Sequence, residues 1–451
     1  MPQANTRPTP KTLKANFAEI HPPLADHEAI TEAARCLYCY DAPCTRACPT
    51  RIDIPRFIRQ ILHHDPIGSA KTILDANIFG GSCARICPTD VLCEGACVDN
   101  TLLKAPVQIG RLQRHACDTA NPHSLDFYQP GPPTGKSVAI IGAGPAGLTC
   151  AHELRKQGHR VVVFEAGKTA GGLNTLGIAA YKMPTDFALS EVARIQRMDI
   201  DLRLKHPVDG PGVLKLLEDY DAVFLAVGLG RTAPLGIHGE NLTGVWESLE
   251  FIFQTHTKPL NKCQVGKHVV VIGGGNTAID AANAAVRLGA QSVTIAYRRD
   301  HASMPAFTHE YDLAVESGVH FEWLTKPKRI IGKAGKVTGL RVTRTRLQGQ
   351  GRKAKLVAVP KSDFTIPCDM VIKALGQQVL TDFLKSIPKL KLDKKGRVAI
   401  DTQTGATSIP KLFAGGDCQA NAGEEVVNAV QAGKTAAAGI HAAVSHAIDT
   451  N

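Results

Sequence analysis

Two kinds of hydrophobic patterning divide the chain. From residue 137 onward, short apolar runs end in glycine: Val138 to Ile141 before Gly142, Ala222 to Val227 before Gly228, and Val269 to Ile272 before Gly273. Val371 to Leu375 before Gly376 and Leu412 to Ala414 before Gly415 repeat the theme. Runs this short and this apolar predict strands buried on both faces of a parallel sheet. Earlier in the chain the apolar residues recur at helical spacing instead. Residues 26–37 read as a helix with Asp26 as its cap, and Ile54 to Leu62 and Ala70 to Leu74 as two more. The pattern therefore predicts an α-helical N-terminal module followed by an α/β region.

The glycines sharpen the α/β part. Gly142, Gly144 and Gly147, with Pro145 and Ala146 between them, follow a strand and open a helix. A second strand, Arg160 to Phe164, ends in Glu165. This is the dinucleotide fingerprint: a tight turn, a backbone that approaches a pyrophosphate, close helix packing, and an acid for a ribose diol. A second copy reads Gly273, Gly275, Asn276, Thr277 and Ala278, the alanine being an accepted third member. Its following strand, Ser292 to Ala296, leads into Tyr297, Arg298 and Arg299. The ribose acid is missing there, and arginine forks match a 2′-phosphate. That favours NADPH, and NADH stays open. Two fingerprints with strands on either side predict two Rossmann-like domains, the second inserted in the first. The expected boundaries are 1–135 for the helical module, 136–250 with 377–451 for the first nucleotide domain, and 251–376 for the insert.

At 451 residues the chain can hold these domains with ample core. Its net charge of +11 is carried by no single Lys/Arg tract and no aromatic-rich basic motif, so nucleic acid is not the expected partner. No apolar run of 18 residues and no leader is seen, which predicts a cytoplasmic protein without a membrane association. The first 15 or so residues, rich in Pro, Thr and Lys, read as a mobile tail.

Eight of the 13 cysteines lie between Cys36 and Cys97. The first run is Cys36, Cys39, Cys44 and Cys48-Pro49; the second is Cys83, Cys87-Pro88, Cys93 and Cys97. Two runs, each with a Cys-Pro, suit two 4Fe-4S clusters with crossed ligation. Zinc sites usually show two C-x2-C knuckles, and here Cys36 and Cys39 make the only one.

At this point a resemblance becomes specific. Cys36-Leu-x-Cys39-x-Asp-Ala-Pro-Cys44-x3-Cys48-Pro-Thr, Ile52-Asp-Ile-Pro-x-Phe-Ile58 and Cys87-Pro-Thr-x3-Cys93-Glu-x2-Cys97 resemble the N-terminal module of dihydropyrimidine dehydrogenase. The bacterial form of that module is a separate PreT-type subunit, and the small subunit of glutamate synthase and ferredoxin-NADP transhydrogenase subunits are similar. The resemblance implies Cys36, Cys39, Cys44 and Cys97 for one cluster. It implies Cys48, Cys87, Cys93 and Gln113 for the other, with no ligand role for Cys83. It further implies FAD on Gly142 to Gly147, Glu165, Gly172, Leu173, Val208, Gly228, Gly416, Asp417, Glu425 and Val426, with Lys182 near the flavin ring. The coenzyme is expected on Gly273, Gly275, Asn276, Thr277, Arg298, Arg299, Ala374, Leu375 and Gly376. The activity implied is electron input from NAD(P)H, through FAD and the clusters, to a PreA-like FMN/4Fe-4S subunit in a heterotetramer that reduces uracil and thymine. No protein acid or base is expected for the hydride step.

Overall fold

The computed structural model describes residues 7–121, 127–349 and 354–446. Its strands run β1 (Ser137–Ile141), β2 (Arg160–Phe164), β3 (Asp201–Arg203), β4 (Ala222–Leu225), β5 (Val245–Glu247), β6 (His268–Ile272) and β7 (Ser292–Ala296). They continue as β8 (His320–Glu322), β9 (Thr325–Lys333), β10 (Lys336–Gln348), β11 (Lys355–Pro367), β12 (Met370–Lys373) and β13 (Leu412–Ala414).

The chain divides into two compact units. One takes in residues 21–175, 182–229 and those from 379 on, and holds the helical module together with a parallel sheet in the order β13-β4-β1-β2-β3. Both faces of β1 are covered. Val138 and Ile140 pack with Leu148 and Leu154 of helix Pro145–Lys156 and with Val430 and Ile440 of helix Val426–His446. Ala139 and Ile141 pack on the other side with Val213, Leu216 and Leu384. That two-sided burial is why the run carries no polar alternation.

In the helical module, Ile54, Phe57, Ile58 and Ile61 are buried along one stripe of helix Ile54–Leu62, and the Asp53 side chain accepts from the Arg56 N–H to cap it. The helix foreseen over 26–37 is Asp26–Ala33. Its cap is Ala25, whose N–H donates to Glu28 at 2.8 Å, and Asp26 is its first helical residue.

The other unit takes in the described residues through Ile20, Leu176–Tyr181 and Gly230–Gln378. Its parallel sheet runs β5-β12-β6-β7-β8, and an antiparallel sheet runs β11-β10-β9. Val269 and Val271 pack with Ala278, Ala281 and Ala285 of helix Asn276–Arg287, whereas Val270 and Ile272 pack with Ile330, Leu340 and Val342 of the antiparallel sheet. The antiparallel sheet thus covers the second face of β6. The longest segment of this unit starts at Gly230, where residue 251 was expected, and takes in β5, which pairs in parallel with Val371 to Lys373 of β12. A three-residue, half-buried edge strand leaves no apolar run to read. The N-terminal tail is also more ordered than expected: Pro10–Asn16 is a helix with Leu13 fully buried, and Asn16 donates to the Arg287 carbonyl at 2.9 Å.

Charge is concentrated on β9, β10 and β11, which carry ten Lys and Arg against one Asp. Such lysines keep exposed strands from pairing with other chains. No helix among the described residues is long and apolar enough to cross a membrane.

Candidate functional site

β1 ends in Gly142, at a φ of 105°, and a Cβ there would stand 2.3 Å from the Ala226 carbonyl oxygen just past β4. A Cβ at Gly147 would stand 2.0 Å from the Gly142 carbonyl oxygen, whereas one at Gly144 meets nothing within 4 Å. The outer glycines are therefore packing requirements, and the middle one borders open space. Helix Pro145–Lys156 starts there without a side-chain cap, so its first N–H groups, from Ala146 onward, are available to an anion.

Three other candidate segments converge on this loop. Gly171 donates its N–H to the Ala143 carbonyl at 2.7 Å, and a Cβ at Gly172 would lie 3.1 Å from Gly144 Cα. One at Gly416 would lie 3.0 Å from Ala146 Cβ. Glu165 accepts from the Ala143 N–H at 2.9 Å and from the Gly167 N–H at 2.7 Å, leaving lone pairs for a diol. Gly228, beyond β4, has open space where a Cβ would be. Glu425 accepts from the Asn428 amide at the start of helix Val426–His446. Lys182 and Val208 are half-buried, and Leu173 is exposed.

Two acceptors test whether a dinucleotide fits. Burial pushes the Asp417 carboxyl up to about 6, with Arg397 opposing and Glu424 and Glu425 reinforcing the shift. No hydrogen bond from the described residues relieves it, and a ribityl hydroxyl would. Asn174 Oδ1, one residue past Leu173, is buried without a partner. Orphaned acceptors beside a glycine cradle suit a ligand rich in hydroxyl and N–H donors, and FAD is such a ligand. Asn174 was not foreseen; its place directly after Gly171-Gly172-Leu173 is the signal that could have found it.

In the other unit, a Cβ at Gly273 would stand 2.1 Å from the Ala374 carbonyl oxygen, which brings the end of β12 against the loop. Gly275 and Gly376 border open space. Ala278 is fully buried, so its helix accepts a methyl group where the first fold needs glycine. Thr277 is half-buried and Leu375 exposed. Asn276 Oδ1 accepts from the Phe307 N–H at 3.0 Å, and Ala306 donates to the Gly274 carbonyl at 3.1 Å, tying residues 306–307 to the glycine loop. The two arginines part company. Arg299 donates to the Ala354 carbonyl at 3.0 Å, and Arg298 is exposed.

The cysteines fall into two groups. Cys36, Cys39, Cys44 and Cys97 line one pocket with Ile54 and Ile58 behind them. Burial and the neighbouring thiols hold Cys36 above its ordinary range and push Cys44 up to about 11. Cys48, Cys87 and Cys93 interact with one another. The Cys83 thiol, hydrogen-bonded to Cys87, and burial push Cys87 up, so spacing and structure agree that Cys83 lies close by. Cys83 Sγ itself accepts from Asn77 at 3.2 Å. Gln113 is buried on helix Ile109–Ala120 and donates from Nε2 to the Gly80 carbonyl at 2.7 Å, so Oε1 is the atom with which it could hold a metal. Soft thiolates, four in one group and three beside an amide in the other, suit iron–sulfur clusters, whose cations would supply the charge that burial withholds from the thiolates.

The chain matches the family described as pyridine nucleotide-disulphide oxidoreductase over residues 136–433. It matches the family described as dihydropyrimidine dehydrogenase domain II, 4Fe-4S cluster, over residues 13–125. It is 36% identical to the glutamate synthase (NADPH) small chain of Escherichia coli K12, across 95% of this chain and 94% of that relative. It is 35% identical to the NAD-dependent dihydropyrimidine dehydrogenase subunit PreT of the same strain, across 94% of this chain and 96% of that one. Among solved structures, Mycobacterium tuberculosis FprA in complex with NADPH aligns with a TM-score of 0.57 at 20% identity, over 70% of this chain and 85% of that one. T. acidophilum thioredoxin reductase aligns with a TM-score of 0.53 at 20% identity, over 69% and 99%. These two likenesses are of fold.

Proposed function

Because the chain belongs to the pyridine nucleotide-disulphide oxidoreductases and carries an N-terminal 4Fe-4S domain of the dihydropyrimidine dehydrogenase type, we propose that it is the electron-input subunit of a cytoplasmic dihydropyrimidine dehydrogenase. In this reading it takes electrons from NADH or NADPH and passes them to a PreA-like FMN/4Fe-4S partner. The pair, as a heterotetramer, reduces uracil and thymine to 5,6-dihydrouracil and dihydrothymine. FAD, when bound, accepts a hydride and releases electrons singly, and 4Fe-4S clusters carry them one at a time.

The chain's own residues have holding roles. Gly144 and the first turn of its helix face the pyrophosphate, Glu165 takes the ribose, and Asp417 takes the ribityl chain. Gly275 and Arg298 hold the coenzyme. Cys36, Cys39, Cys44 and Cys97 hold one cluster, and Cys48, Cys87, Cys93 and Gln113 a second. The observation that carries the reading is that a glycine cradle with orphaned acceptors and both cysteine groups belong to one compact unit. A partner is supported by the apolar side chains exposed beside the first cysteine group: Leu37, Tyr40, Leu102 and Leu103.

Glutamate synthase is the second reading, favoured by an equally similar small chain. The Pro-Thr after Cys48 and Cys87 and the Asp-Ala-Pro at 41–43 favour the pyrimidine enzyme. Mild tagged purification from the native host, with the co-purifying chain identified by mass spectrometry, separates the two. An FMN-barrel partner and uracil-dependent coenzyme oxidation are the expected result. A large amidotransferase partner would move the function to glutamate synthesis.

A further inference from the structure

Helix Gly80–Ile86 leads to Cys83 and Cys87, and its first turn is gripped from three sides. Gly80, Gly81, Ser82 and Cys83 are all buried, and no side chain of the helix itself caps them. Glu191, from helix Thr185–Gln196, accepts from the Gly81 N–H at 3.0 Å, from the Ser82 N–H at 3.2 Å and from the Ser82 hydroxyl. Asn174, beside the glycine pair at 171–172, donates to Ser82 Oγ at 2.9 Å. Gln113 donates to the Gly80 carbonyl at 2.7 Å. Glu191 is almost wholly buried, with Arg194 at 3.3 Å and Arg85 as the cations that act on it, and Arg194 also donates to the Ile78 carbonyl at 2.9 Å. The fit is close enough that a Cβ at Gly81 would stand 2.4 Å from the Phe187 ring. A continuous hydrogen-bonded chain therefore runs from Asn174 through Ser82 to Glu191, and the same turn is bound to Gln113.

We propose that Glu191 and Ser82 are positioning residues that lock the flavin-side loop to the cysteine-bearing helix and set the reduction potential of the cluster held by Cys48, Cys87, Cys93 and Gln113. The proposal rests on the functional reading above, in which those four residues bind a cluster. A carboxylate fixed in a dry interior adds negative charge near the cluster, and cluster potentials respond to nearby charge and hydrogen bonding. Glu191 thereby disfavours reduction, and the Ser82 hydroxyl holds it in place.

The test uses the full-length protein, purified anaerobically with flavin and iron counted, in an EPR-monitored redox titration driven by a low-potential photoreductant. Glu191→Gln keeps the shape and removes the charge. It is expected to shift the reduction equilibrium of this cluster about tenfold toward the reduced state, which is 59 mV upward for one electron. Ser82→Ala keeps both backbone contacts to Glu191 and cuts the link to Asn174. It is expected to alter the EPR line shape of the same cluster with iron content unchanged. If Glu191→Gln fails to load iron, the Ser82→Ala line shape decides. Fully loaded variants with wild-type potentials and line shapes would overturn the bridge and leave the functional reading standing. A wild-type protein with no reducible iron–sulfur signal would overturn both.

Discussion

After β2, the Glu165 carboxylate reaches back to accept from the Ala143 N–H at 2.9 Å; at the equivalent place after β7, Tyr297 lays its ring beneath Gly274. A Cβ at Gly274 would stand 2.6 Å from that ring, and the Tyr297 hydroxyl donates to the Ser303 carbonyl at 3.0 Å. The turns before these positions are nearly superimposable in their demands: Gly142 and Gly273 both press against a carbonyl of the neighbouring strand. The two folds therefore share the backbone solution to pyrophosphate binding and differ in how the second strand closes the loop. One closes it with a charged acceptor. The other closes it with an aromatic floor, and the exposed Arg298 follows it. A glycine spacing reports the shared part; only the side chain after the second strand reports what the loop is for.

The comparison breaks most visibly at the first glycines. Gly142→Ala imposes both a φ of 105° on a side chain and a 2.3 Å contact with backbone. A cost on the order of 3 kcal/mol or more is expected, with flavin lost and solubility reduced. Gly273→Ala is expected to keep bound flavin while abolishing its bleaching by NAD(P)H. Flavin counted per chain, with and without coenzyme, checks both; flavin loss in the second variant would mean that the two loops do not divide the ligands.

Arg298 sharpens the comparison next. A charge-assisted hydrogen bond contributes about 1.5–3 kcal/mol. Arg298→Ala is therefore expected to raise KM for NADPH roughly tenfold or more and leave NADH unchanged. Arg299→Ala, at a residue already bound to the Ala354 carbonyl, should change little. Equal effects on both coenzymes would remove the 2′-phosphate from the account.

The smallest expected effect is on pH. The Asp417 carboxyl, held at about 6 by burial, carries a proton below that pH when flavin is absent. A ribityl hydroxyl favours the ionised form, so flavin binding must expel that proton. Affinity for FAD should rise by up to tenfold per unit as pH approaches 6 and level off above it. Asp417→Asn should flatten the profile.

Much of this was legible in the sequence because it depends on backbone space. The apolar runs located β1, β2, β4, β6, β7, β12 and β13, whereas cysteine spacing put Cys48 with the first run and Cys97 with the second, and the fold sets Cys97 beside Cys36, Cys39 and Cys44 and Cys48 beside Cys87 and Cys93. What stayed hidden depends on side chains meeting across long separations. Glu191 lies 110 residues from Gly81, and nothing local marks it. β5 was absorbed into the wrong domain because an edge strand of three residues has no periodicity. Arg299 looked equivalent to Arg298 until Ala354 came to lie against it.

The most direct measurement is anaerobic mixing of the flavin-loaded protein with NADH and with NADPH while the flavin absorbance is followed. Bleaching by at least one coenzyme, saturating with its concentration and lost in Gly273→Ala, is the result expected if the second loop feeds electrons to the first. A flavin that neither coenzyme reduces would contradict it.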